Sequence, residues 1–106
     1  MARLSDLTSA EQLAAEELAD PEVRHEHERT ALAHAVAMRV IGYRVERGLS
    51  QSALARMLGM HQSAIARLEA GDHEPSLATL WRLARRLGLE FHIDITPDAF
   101  TLRDSA

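Results

Sequence analysis

The stretch Ser50-Gln51-Ser52-Ala53-Leu54-Ala55-Arg56-Met57-Leu58-Gly59-Met60-His61-Gln62-Ser63-Ala64-Ile65-Ala66-Arg67-Leu68-Glu69-Ala70-Gly71 decides the fold. Ser50 is a helix-capping residue, and Leu54, Ala55 and Leu58 follow at the spacing of one helical face. Gly59-Met60-His61 reads as a tight turn. A second helix is expected over Gln62–Ala70, anchored by Ile65 and Leu68 and stopped by Gly71. The stretch is therefore two short helices joined by a glycine turn.

Working outward, Asp20-Pro21 reads as an N-cap with proline in the first helical position. Glu22, Glu26 and Glu28 suit the N-terminal end of the helix dipole, and helical character runs on to Arg47 before Gly48. Along this long helix Leu32, Val36, Val40 and Tyr43 form one apolar stripe, while Ala37, Met38, Ile41 and Val45 form another. A surface helix needs one such face, so the second implies contact with something beyond its own domain. Before it, Thr8 or Ser9 opens a short helical stretch over Glu11–Leu18. Downstream, Ser76 caps a further helix with Leu77, Leu80, Leu83, Ala84 and Leu87 inward, closed by Gly88. Leu89 to Ile95 then alternates apolar and polar residues, the period of a half-buried strand. Thr96-Pro97-Asp98 breaks it, and Phe100 and Leu102 make a weak second strand or fray.

A chain of 106 residues holds one domain and little more. It has no cysteine, hence no disulfide or thiolate metal site. Without an apolar run of membrane length or a hydrophobic leader, a cytoplasmic protein with no membrane contact is expected. The net charge of -4 is unevenly spread. Residues 1–37 hold three Arg against eight acids, residues 38–90 hold eight Arg against five, and every basic residue is Arg. A basic middle between acidic ends points to two surfaces with different partners. His25-Glu26-His27-Glu28 places its histidines on different sides of a helix, and His27 and His34 lie about 10 Å apart along one. No metal, cofactor or catalytic site is expected, and the chain does not read as an enzyme.

Residues 48–71, with Pro75-Ser76-Leu77, Leu80, Ala84, Leu87 and Gly88 in the same register, resemble the Cro/C1 (XRE) family. The resemblance implies an all-α, phage-repressor-like helix-turn-helix domain of four to five helices. A long N-terminal helical extension and a short C-terminal β-strand would flank it. The expected organisation is an acidic extension over 1–35, a DNA-binding domain over 36–88 and a strand and tail over 89–106. Gln62, Ser63 and Arg67 match the family's base-reading positions, with Gln51 in support. Gln suits adenine and Arg suits guanine. Ser50 and the helix starts suit phosphates. Arg44 and Glu69 match a family salt bridge. His61 stands where the family places a Ser or Thr cap, so either the cap is weaker or His61 touches DNA. Asp72 and Glu74 lie where relatives carry basic contacts, so dimerisation is expected to restore affinity.

Asp20-Pro21-Glu22-Val23-Arg24, the acidic helix, and Ala37-Met38-Arg39-Val40-Ile41 leading into Gly48-Leu49-Ser50-Gln51 resemble HigA-type antitoxins. That resemblance implies a homodimer that represses its own operon on double-stranded DNA. It also implies a toxin partner, a small basic ribonuclease; from the acidic charge and the surplus apolar stripe, Glu22, Glu26, Glu28, Leu32 and Ile41 are its expected contacts. The strand must pair with the tail, a toxin or a second copy; a two-fold pairing is the economical one. Trp81, Phe91, Ile93 and Ile95 are then the expected dimer contacts. A stand-alone regulator, and a protein-binding scaffold that has lost DNA binding, are the alternatives.

Overall fold

A computed structural model describes residues 9, 10, 12, 13 and 19–103. Its elements run α1 (Pro21–Glu46), α2 (Gln51–Leu58), α3 (Gln62–Ala70), α4 (Leu77–Leu87), β1 (His92–Ile95) and β2 (Phe100–Arg103). The fold is mostly helical, as expected. Ser9, Ala10, Gln12 and Leu13 are helical, and the rest of the helix expected over Glu11–Leu18 lies outside the described residues.

The capping residues do what their chemistry predicts. Asp20, Ser50 and Ser76 each turn a side-chain oxygen onto an amide at the start of their helix, from Glu22 N, Ala53 N and Thr79 N. These bonds satisfy donors that a helix start leaves open.

Leu32, Val36 and Val40 of α1, Leu54, Ala55 and Leu58 of α2, Ile65 of α3, and Leu80 and Leu83 of α4 form one continuous core. Leu32 is only 6% exposed, and Ala33 is buried beside it. Placing Leu32 on a partner-binding surface is therefore corrected: its carbon atoms already face the chain's own interior. The second apolar stripe is divided in use. Ala37 is buried, Ile41 is half-buried, and Met38 and Val45 remain exposed.

Ala37 is covered because α3 ends against it. Gly71 adopts φ 69° and comes so close that a Cβ there would lie 3.3 Å from Ala37 Cβ and 3.4 Å from His34 Cα. Glycine satisfies both demands, a left-handed backbone and a close approach.

β1 pairs antiparallel with β2, Ile93 opposite Leu102 and Asp94 opposite Thr101. Thr96 closes the connection by accepting at Oγ1 from Asp98 N and Ala99 N, while its own N–H donates to Ala99 O at 2.8 Å. Of the partners open to the strand, the tail takes one edge. Phe91, Ile93 and Leu102 pack on the core, but Ile95 is 78% exposed, so the half-buried alternation stops short of the strand's end. Arg39 of α1 ties the hairpin down: its Nη1 donates to Glu90 O and its guanidinium sits over the Phe91 ring. Among the described residues no helix is long and apolar enough to cross a membrane, and no three metal-ligating side chains converge.

Candidate nucleic-acid interface

α2 and α3 present the polar residues of the helix-turn-helix stretch on one surface. Gly59, at φ 67°, ends α2 and donates its N–H back to Ala55 O and Arg56 O. Met60 N also returns to Ala55 O at 2.9 Å, so the turn is tied from inside. α3 starts at His61, which has N-cap backbone angles but makes no side-chain capping bond. It is the only one of α1–α4 with no such bond, which leaves amide donors at that helix start open to a ligand. Ile65 is fully buried beneath α3, turning Gln62, Ser63 and Arg67 outward.

A chain of polar contacts holds this arrangement. Arg44 Nε and Nη2 donate to Glu69 Oε2 and Oε1, both at 2.8 Å, and Nη1 donates to Leu49 O at 3.1 Å. Glu69 Oε1 also accepts from Gln51 Nε2 at 3.3 Å, and Gln51 Oε1 accepts from Gln62 Nε2 at 2.7 Å. The expected Arg44–Glu69 bridge thus extends through Gln51 to the first residue of α3. The Arg44 hydrogen bonds pull the Glu69 carboxyl below its ordinary range; burial opposes this, and the Gln51 bond assists it. The same contact raises the Arg44 pKa above its usual value. Both groups stay charged, so the bridge fixes the angle between α1 and α3 across neutral pH.

Ser63 and Arg67 make no side-chain hydrogen bond or ion pair among the described residues and are exposed. Arg67 borders a cleft of about 300 Å³ shared with Met60, Leu68, His73, Ser76 and Thr79. Asp72 Oδ1 is 2.6 Å from His73 Nδ1, so one of the two acids of this loop has a neighbour within hydrogen-bond distance. In the sequence Gln51 and Gln62 stand as separate contributors. Their direct bond becomes visible only in the fold, and two Gln eleven residues apart across a glycine turn are its one sequence signal.

Elsewhere, Glu22 and Glu26 are exposed on the first turns of α1, and Glu26 bonds Arg29 at 3.2 Å. Glu28 is half-buried, with Oε2 enclosed and without a hydrogen-bond partner among the described residues. Trp81 is 64% exposed on α4. With Leu77, Phe91 and Ile93 it lines an apolar groove of about 400 Å³ between α4 and β1.

Two short helices locked at a fixed angle, with the second presenting unpaired polar side chains, define a helix-turn-helix protein. Residues 42–93 match the family model described as helix-turn-helix, HTH_3. A helix-turn-helix-type transcriptional regulator of Methanothermobacter thermautotrophicus is 43% identical over 53 residues, covering 50% of this chain and 77% of that protein. This chain belongs to the HTH_3 family. It is also similar to SutR, a transcriptional regulator of Escherichia coli, at 35% identity over 54 residues and 51% of this chain. The crystal structure of an HTH_3 family transcriptional regulator from Vibrio cholerae superposes with a TM-score of 0.54 and 29% identity over 58% of this chain. The match spans only 30% of SutR and 35% of the Vibrio protein.

Proposed function

We propose that this chain binds operator DNA through α3, as a homodimer, and represses transcription of its own operon while neutralising a toxin encoded beside it. The observation that carries the DNA half is the run of hydrogen bonds Arg44–Glu69–Gln51–Gln62, which holds α3 rigidly while leaving Ser63 and Arg67 unpaired. Gln62 and Arg67 supply bidentate chemistry for adenine and guanine, and the open start of α3 suits a phosphate. An HTH domain reads two half-sites when paired, and the α4–β1 groove with Trp81 offers apolar area for that pairing. The toxin half rests on the acidic, exposed first turns of α1 with Glu22 and Glu26, set against a basic partner.

The test has two arms. Footprinting on the DNA immediately upstream of the reading frame should give a protected site with two-fold symmetry. Co-expression with the neighbouring reading frame should rescue growth, and rescue should vanish when residues 1–19 are deleted and Glu22 and Glu26 are reversed. The deletion stops before Asp20, whose side chain caps the start of α1 at Glu22 N. A protein that binds the operator but rescues nothing is the second reading, a stand-alone regulator, which the relatives' names favour.

A further inference from the structure

α4 carries a second basic surface that the α3 interface does not use. Ala78, Trp81, Arg82, Arg85 and Arg86 line a groove of about 570 Å³ that no carboxylate among the described residues borders. Arg85 and Arg86 make no hydrogen bond or ion pair among the described residues. The Arg85 guanidinium rests 5.6 Å from the centre of the Trp81 ring, which holds it without neutralising it. Arg85 and Arg86 in the last helical turn complement the helix dipole, but Arg82 lies a turn earlier and has no such role.

Arg82 places one end of the groove beside the turn that leads into α3. Its Nη1 donates to Gly59 O at 3.3 Å, in the turn between α2 and α3. Gly59 is three residues from Gln62, so the basic groove starts within roughly 11 Å of the head of α3. A major groove is about 12 Å wide, so a duplex admitting α3 runs a phosphate ridge on each side at roughly half that distance, within reach of a groove that starts at the Gly59 turn.

We propose that Arg82, Arg85 and Arg86 form a phosphate-backbone clamp on α4, gripping the strand that borders the major groove occupied by α3. This rests on the DNA-binding reading above. Its chemistry is sequence-blind: three guanidinium groups displace counterions and offset the acids Asp72 and Glu74 in the neighbouring loop.

The experiment compares the full chain with Arg85→Gln/Arg86→Gln and with Arg67→Ala. Each is titrated with the duplex from upstream of its own reading frame and with a mixed-sequence duplex, across a salt series. The double variant should bind both duplexes more weakly by the same factor. Its slope of log affinity against log salt should be shallower by about 0.9 for each phosphate it no longer neutralises. Arg67→Ala should weaken binding mainly on the upstream duplex. If the double variant keeps the wild-type slope and affinity while the wild type binds, the clamp is overturned. It is equally overturned if the weaker binding accompanies a change of sedimentation, because the α4 face is then an interface between copies. A wild type that binds neither duplex removes the DNA-binding reading itself, and the clamp with it.

Discussion

Glu69 is shared: its two carboxylate oxygens hold Arg44 fork to fork at 2.8 Å, and one of them also accepts from Gln51. One side chain on α3 therefore anchors that helix to α1 and, through Gln51, is linked by hydrogen bonds to Gln62. Glu69→Ala removes both charge-assisted bonds from Arg44 and should lower stability by about 2–3 kcal/mol, read from urea unfolding. Glu69→Gln should cost less, and both should weaken operator binding as Gln62 loses its fixed pose. Unchanged urea midpoints would show that the bridge contributes nothing net.

The same bridge predicts a pH dependence. The Glu69 carboxyl is held below its ordinary value of 4.5, so folding binds fewer protons there than the unfolded chain does. Its contribution is fully present above that ordinary value and is lost as pH falls through the lower folded-state value. Wild type and Glu69→Gln should therefore differ most in stability above about pH 5 and converge on acidification. A difference that grows as pH falls would mean that the folded carboxyl is raised instead of lowered.

Gly71 and Gly88 both close helices with positive φ, yet only Gly71 has neighbours where a Cβ would stand. Gly88→Ala should cost about 1–2 kcal/mol, the strain of the left-handed backbone alone. Gly71→Ala should cost more, because Ala37 and the α1 backbone must give way. Thermal unfolding of the pair separates the two effects. Equal costs would mean that α1 yields freely.

Arg67→Ala should reduce affinity for the specific site by about 1–3 kcal/mol and relax preference at one base pair. Selection from a randomised duplex library measures this directly. Uniform weakening across all sequences would make Arg67 a phosphate contact.

Much of the fold is legible from residue types. Ser50, Ser76 and Asp20 announce helix starts because few side chains can cap, and Gly59, Gly71 and Gly88 announce ends because few residues tolerate their backbone. The partition of the long helix is less legible. Its two stripes are chemically alike, and only the arrival of Gly71 decides that Ala37 is covered while Met38 is not. Leu32 misleads because a leucine at the margin of an acidic stretch reads equally as core or contact. The hairpin partner shows only as Phe100 and Leu102, and four residues are too few for periodicity to argue from. The α4 clamp escapes a linear reading because its arginines gather only when the helix turns them to one side.

α1 passes without a break from solvent into the core at Leu32 and Ala33. Backbone amides near Pro21 are then protected only by a helix end free to fray, whereas those beyond Leu32 open with the whole domain. In deuterium exchange this single helix should display a gradient along its length, fast at one end and slow at the other. A protease working inward from the acidic end should trim turn after turn and stall where the leucine enters the interior. The frontier between chain the core needs in order to fold and chain it does not therefore falls inside a regular helix, where no loop marks it.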